Sequence, residues 1–442
     1  MADLSINFAG IKAPNPFWLA SGPPSNTGYQ VMKAFDTGWG GAVWKTMGIP
    51  TINVSSRYGV VNYHKTRMVG LNNIELISDR RLSDNLRDIE EVKKHFPDHA
   101  IIASIMVQTR AEWQQIVKDV ESAGVDGLEL NFGCPHGMCE RGMGSAVGQD
   151  PKLVELITSW VMEVATVPVI VKLTPNITDI TETARAARRG GANAIALINT
   201  IQSIVGIDID HFIAYPVVGS QSTNGGYSGP AIKPIALNMV KNCALDKDVA
   251  IPISGIGGIE TWRDAVEFLL LGSGSLQVCT AVMHYGFGIV KKMKSGLDQY
   301  MDEKGFKTID EITGKALAHV TSWENLNLNN QVVANINREN CTSCHLCYTA
   351  CDDGAYQAIA LSENSADRIP IIIEEKCVGC NLCSLVCPIE NCLTMVNKDK
   401  TVEVETWKQR TEAHTIPSTF NDELAGGLKH PSLDPLSGLK YK

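Results

Sequence analysis

The chain has 442 residues, 44% of them hydrophobic and 20% charged, with a formal net charge of −9. That is ample for a large core, too long for one ordinary domain and short for three. There is no long basic run to meet a nucleic acid, no apolar window of membrane-span length, and no basic-then-apolar leader in MADLSINFAG, so a cytoplasmic protein is expected.

Up to about residue 330, short apolar runs alternate with helix-like stretches. The runs fall at 17–21, 42–45, 101–104, 127–131, 169–173, 194–198, 251–254 and 275–278. Most lack polar alternation, as strands buried on both faces do. Helical stretches separate many of them, for example at 112–123, 151–165 and 180–189, the last stopped by Gly190 and Gly191. Eight such strands predict an α/β chain whose residues 1–330 form a (β/α)8 barrel. The rival, a doubly wound open sheet, wants a glycine-rich fingerprint straight after the first strand, and Ser21-Gly22-Pro23-Pro24 is not one.

The end of each run, or the position just past it, is polar: Ser21, Lys45, Ser104, Asn131, Lys172, Asn199, Ser254 and Thr280. A barrel of this type builds its active site at that face. Polar residues also mark plain strand-to-loop junctions, which accounts for Ser and Thr better than for two lysines and two asparagines. Ser254-Gly255-Ile256-Gly257-Gly258 follows strand seven, Gly272-Ser273-Gly274 precedes strand eight and Cys279-Thr280 follows it. Glycines there let backbone N–H groups converge on a phosphate. Gly225-Gly226-Tyr227-Ser228-Gly229 offers a further donor.

The loop after strand four, 131–144, holds four glycines and two methionines, the composition of a mobile lid. Cys134 stands at its root, where a thiol can give or take a proton in a water-poor site. A purely structural cysteine is the blander account. Cys139 and His136 are rival acids lying further from the strand end. Asn131, Asn199-Thr200 and Asn53 offer donors and acceptors suited to a planar ring of alternating N–H and C=O groups; a lone Asn can also be a turn or cap residue, and for Asn53 the two readings are close to even.

Beyond residue 330 one cysteine rhythm occurs twice: Cys341-x-x-Cys344-x-x-Cys347-x-x-x-Cys351, then Cys377-x-x-Cys380-x-x-Cys383-x-x-x-Cys387-Pro388. This is the two-cluster ferredoxin pattern, in which the fourth cysteine of each run ligates the other cluster. It assigns Cys341, Cys344, Cys347 and Cys387 to one [4Fe–4S] cluster and Cys377, Cys380, Cys383 and Cys351 to the other, in a ferredoxin-like domain at 331–404. Gly354 and Gly379 suit close backbone approach to the sulfurs. A zinc pair gives no reason for the repeated fourth cysteine and its proline. Disulfides do not suit a chain without a secretion signal. Such clusters pass single electrons, whereas most organic reductions take two. A flavin converts between these modes, and FMN has the single terminal phosphate that a barrel site suits. Lys172 would place positive charge near it, or simply pair with Glu129.

The stretches LELNFGCPHGMCERGMGSAVGQDP (128–151), KLTPNITDI (172–180), NGGYSGPAIKPIAL (224–237), ISGIGGIE (253–260) and LQVCTAV (276–282) resemble the dihydropyrimidine dehydrogenase family, most of all bacterial members with FMN and two clusters on one subunit. The resemblance covers nearly the whole chain. It implies Cys134 as catalytic acid/base and Asn53, Asn131, Asn199 and Thr200 as pyrimidine-binding positions. It implies FMN contacts at Ala20, Ser21, Lys45, Thr46, Lys172, Gly229, Gly257, Gly258, Cys279 and Thr280. Reduced FMN would pass hydride from N5 to C6 of uracil or thymine while Cys134 protonates C5. Electrons would come through the clusters from a partner subunit with FAD and an NAD(P)H site, as a heterotetramer. The chain departs from the family at Cys139, often glycine, at Phe132-Gly133, which replaces a Leu-Ser or similar pair, and between strand six and Gly225. A dihydroorotate dehydrogenase with its own ferredoxin tail, and a non-catalytic electron relay, are the alternatives. From 405 to 442 the weak pattern reads as a mostly irregular arm.

Overall fold

The barrel strands follow from their composition: apolar on both faces, they are covered on both faces. In this computed structural model, which describes residues 2–362, 368–398 and 403–412, they are β1 (Phe17–Leu19), β2 (Gly41–Met47), β3 (Ala100–Ile105), β4 (Gly127–Asn131), β5 (Val169–Lys172), β6 (Ala194–Leu197), β7 (Ile253–Ile256) and β8 (Ser273–Val278). All pair in parallel and in chain order, and β8 returns to β1 through Leu276 opposite Phe17, closing the barrel. Nearly every strand residue is buried.

Local signals set the helices between them. Arg110–Ser122 begins at a Thr109/Glu112 capping box, Pro151–Met162 at an Asp150 cap with proline in its first turn, and Ile180–Arg189 at an Asp179 cap. A hairpin of Ile6–Phe8 and Ile11–Ala13 lies under the N-terminal face: Phe8 meets Trp18 edge-on at 5.7 Å, and a Cβ on Gly127 would come 2.6 Å from Ile11 Cδ1.

Two insertions build the rim of the opposite face. Tyr58–Tyr63, Thr66–Asn73, Gly225–Ser228 and Ile201–Ser203 form one antiparallel sheet, so the glycine-rich loop expected at 225–229 is a strand over most of its length. The segment after β4 is docked: Met138 and Met143 are buried with Cys134, Ile77 and Met106, and short turns at Cys139–Arg141 and Ser145–Gly148 shape the rest.

The chain's contacts divide between His319 and Val320, so the boundary expected at 330 falls inside the second unit. Asn327 bridges to Thr406, Leu328 N–H donates to Glu405 O at 2.7 Å, and Trp323 packs on Trp407 at 5.7 Å. The expected arm thus starts with a bridge and a short helix, Trp407–Glu412; its remainder lies outside the described residues. Antiparallel pairs Val332–Ile336 with Leu393–Asn397, and Ile359–Leu361 with Pro370–Ile372, carry the cysteine loops. Among the described residues no helix is long and apolar enough to cross a membrane.

Candidate active site and cluster hollows

Inward polar side chains of several strands meet beneath the mouth. Glu129 on β4 is fully buried and takes Gln277 Nε2 of β8 at 2.9 Å, while Lys172 Nζ of β5 lies 3.6 Å from its other oxygen. Gln277 also reaches Ser254 Oγ at 3.2 Å, which Ser275 Oγ approaches at 2.8 Å. A buried ammonium needs such a partner, so Lys172 has the Glu129 contact and also faces the cleft above.

One layer higher, Thr46 Oγ1 shares hydrogen bonds with Ser21 at 3.0 Å and Ser104 at 2.9 Å. Asn131 Nδ2 donates to the same oxygen at 2.9 Å. Asn199 Nδ2 donates to Asn131 Oδ1 at 3.0 Å, and Thr200 N–H closes on Asn199 Oδ1 at 2.8 Å. Five strand ends are thereby tied across the mouth.

Above them lies an open cleft of about 140 Å³. Its wall includes all ten residues expected around the flavin: Ala20, Ser21, Lys45, Thr46, Lys172, Gly229, Gly257, Gly258, Cys279 and Thr280. Cys134, Asn131, Asn199 and Thr200 line the same cleft. Asn53 does not: its carboxamide accepts from Leu76 N at 2.6 Å and donates to Ile77 O at 3.3 Å, so it holds the backbone of cleft-lining residues instead. Gly272 and Gly274 flank the first residue of β8, at the face opposite the mouth; a residue leading into a parallel strand cannot also stand at its exit.

Sequence reasoning missed Asn73 and Glu75. Both line the cleft from the segment that follows the insertion hairpin. Asn73 Oδ1 accepts from Glu75 N at 2.6 Å. The Glu75 carboxylate gathers Lys45 at 2.8 Å, Arg57 at 2.9 Å and the Tyr58 hydroxyl at 2.5 Å. Burial would raise that carboxyl, but the bonds from Lys45 and Tyr58 and the charges of Lys45 and Arg57 outweigh it and hold it below the usual range. The NIELIS stretch carries no local cue to this role, since its basic partners stand 18 and 30 residues away.

The Cys134 thiol donates to His136 O at 3.4 Å, and burial pushes its pKa up to about 11. It therefore holds its proton at neutral pH. His136 lines the cleft with Nε2 3.1 Å from Glu75 O, and burial lowers its pKa. Cys139 is absent from the lining and contacts Pro135 O at 3.5 Å and Glu140 at 3.4 Å.

A flat anionic cofactor fits these residues. Gly257 (φ +131°) and Gly258 (φ +74°) present bare backbone, and a Cβ on Gly258 would stand 2.9 Å from Gly229 O. Two lysines and the polar strand ends border the space in front of them.

In the second unit, one hollow is lined by the ligand set Cys377, Cys380, Cys383 and Cys351, the other by the ligand set Cys341, Cys344, Cys347 and Cys387 with Cys392 beside them. Each set is three cysteines of one run plus the fourth of the other. Among the described residues no three such side chains converge as a single-ion site would require. The two loops turn alike, with left-handed Ser343 and His345 (φ 54° and 61°) in one and Gly379 and Asn381 (φ 72° and 69°) in the other. A Cβ on Gly379 would lie 2.4 Å from Val332 O, so glycine is required there, whereas Gly354 meets only Leu382 Cδ2 at 3.7 Å.

Barrel, glycine cradle and paired cysteine rings define a flavin-type oxidoreductase barrel joined to a dicluster module. Residues 3–301 match the dihydroorotate dehydrogenase family model, and 334–395 match the 4Fe-4S dicluster domain. The chain is 45% identical over 389 residues to the NAD-dependent dihydropyrimidine dehydrogenase subunit PreA of Escherichia coli K12, covering 88% of this chain and 94% of that one. It is 47% identical over 340 residues to the chloroplastic dihydropyrimidine dehydrogenase (NADP(+)) of Arabidopsis thaliana (73% and 79% covered). With the catalytic subunit of dihydroorotate dehydrogenase B (NAD(+)) of Thermococcus kodakarensis it shares 37% over 325 residues (72% and 99% covered). The chain belongs to the dihydropyrimidine dehydrogenase family of oxidoreductases.

Proposed function

We propose that this chain saturates the 5,6 double bond of uracil or thymine. The observation that carries the reading is a proton-loaded thiol, Cys134, sharing one cleft with the carboxamides of Asn73, Asn131 and Asn199 and the hydroxyl of Thr200. FMN, held by the ten residues named above, supplies hydride when bound, and two [4Fe–4S] clusters in the cysteine rings supply single electrons. The asparagines match the alternating donors and acceptors of a pyrimidine edge and stabilise charge that develops on its carbonyls. Cys134 gives its proton to C5 as negative charge builds there, and the resulting thiolate is reloaded from water. Its raised pKa keeps the proton on sulfur until the substrate is bound. Asn53 acts one step back, by fixing the backbone of Leu76 and Ile77.

The Escherichia coli relative is named a subunit of an NAD-dependent enzyme. On that support we assign to this chain a partner subunit carrying FAD and an NAD(P)H site, in a cytoplasmic heterotetramer. A dihydroorotate-type activity is the second reading, favoured by the barrel's family match.

The test uses the full chain with its cofactors, reduced by a viologen radical so that no partner is needed, and assayed on uracil, thymine and orotate side by side. Turnover of uracil or thymine is expected. Turnover of orotate alone would move the assignment to the dihydroorotate class, and protein with clusters but no flavin would leave an electron relay.

A further inference from the structure

The two cluster hollows share their cysteine arrangement and differ in a telling way at one corresponding position. A short strand follows the fourth cysteine of each run: Ile359–Leu361 after Cys351, and Leu393–Asn397 after Cys387. The residue just before that strand is Ala358 in one half and Cys392 in the other. Both are 3% exposed, and each lines the hollow that the fourth cysteine of its own run enters. What they present differs. Ala358 offers only a methyl, with its backbone N–H donating to Cys351 Sγ at 3.3 Å. Cys392 offers a thiol that lines the same hollow as Cys387 and Cys341, with its Sγ 3.7 Å from Asn337 O. One hollow therefore has five cysteines around it and the other four. A cubane has four corners.

Resting on the cluster reading above, we propose that Cys392 is not a ligand but a hydrogen-bond donor to the ligand sulfurs of the Cys341/Cys344/Cys347/Cys387 cluster, making it the higher-potential cluster of the two. A thiolate bound to iron is a better acceptor than the Asn337 carbonyl because it carries negative charge. Adding an electron increases that charge, so the donor stabilises the reduced cluster more than the oxidised one, and hydrogen bonds to cluster sulfurs raise the potential for this reason. Burial of the donor strengthens the effect. Ala358 gives the sister cluster a backbone N–H but no side-chain donor, so the thiol of Cys392 is a source of difference in potential between the two sites.

The experiment is a redox titration followed by electron paramagnetic resonance on the full chain with its clusters, comparing wild type with Cys392→Ala, Cys392→Val and Cys392→Ser. Valine guards against a variant that leaves the space unfilled. In the alanine and valine variants, one midpoint should move negative, so that at its former midpoint the reduced-to-oxidised ratio falls about fivefold, the worth of one hydrogen bond. The other midpoint should stay. Serine, which keeps a donor, should retain most of the wild-type value. Identical potentials in all four proteins, or a serine variant displaced as far as valine, would overturn the proposal and leave Cys392 a filler. Iron analysis separates the remaining outcomes. Loss of one cluster's iron from all three variants would make Cys392 a ligand, again overturning it. Wild-type protein without cluster iron after anaerobic reconstitution would sink the underlying cluster reading instead.

Discussion

The barrel holds its site with its own atoms, whereas the cysteine unit is shaped around atoms it has to acquire. In the barrel, polar strand ends brace one another over a core that includes Trp18, Trp39, Trp44 and Trp113, all essentially sealed from solvent. Among the described residues of the second unit the main buried cluster is Ala334, Cys347, Cys351, Ala358, Ile359, Cys383 and Leu393, so three of its seven members are cluster cysteines. A core that small does not stabilise a domain alone, and cluster binding must supply much of its folding free energy. The barrel can therefore be altered residue by residue; the cluster unit stands or falls with its iron.

The largest expected effect comes from the barrel. Cys134→Ala should lower pyrimidine turnover by roughly 10²–10⁴-fold while FMN content stays at the wild-type level, and Cys134→Ser should keep weak activity with a shifted pH optimum. Unchanged turnover in the alanine variant would remove Cys134 from the chemistry. Next, stripping iron with an anaerobic chelator should abolish the melting transition of the cluster unit and leave that of the barrel in place, read by calorimetry; joint loss of both transitions would erase the contrast drawn here.

Gly258→Ala should lower FMN affinity by about 10–100-fold, because a left-handed residue would gain a Cβ 2.9 Å from Gly229 O. Flavin released on ultrafiltration measures this. Asn73→Ala and Asn53→Ala sharpen the site itself. The first should cut kcat/KM for uracil by about 10-fold or more, as a lost buried hydrogen bond does. The second should mainly lower the barrel's Tm, with a smaller change in kcat/KM. Equal kinetic losses would put Asn53 back among substrate contacts.

The smallest effect is acid-dependent. The folded pKa of Glu75 is lowered, so its clamp on Lys45, Arg57 and Tyr58 contributes fully above the ordinary carboxylate value of about 4.3 and is lost as pH falls through the folded value. Glu75→Gln should flatten the barrel's stability profile on the acid side of that value, with denaturant midpoints as the readout.

How much of this was legible depended on how far apart the cooperating residues lie. The eight barrel strands announce themselves because doubly buried strands carry apolar runs, and all eight fall within a few residues of expectation. The cysteine rings follow from spacing within two short loops. The rim sheet did not show, because Tyr58–Tyr63 is mostly exposed and leaves no buried face to read. Asn73 is missed in favour of Asn53 for a related reason: both lie between β2 and β3, and only the folded rim hairpin decides which carboxamide reaches the cleft and which is consumed by Leu76 and Ile77. Glu75 is recognised only when Lys45 is seen beside it.

Cys344 and Cys380, the middle ligands of the two runs, are exposed, whereas Cys347, Cys351 and Cys383 are buried. Each cube thus turns one corner toward solvent. That corner is where dioxygen would arrive first, so colour lent by bound clusters should bleach in air beginning at these two sulfurs.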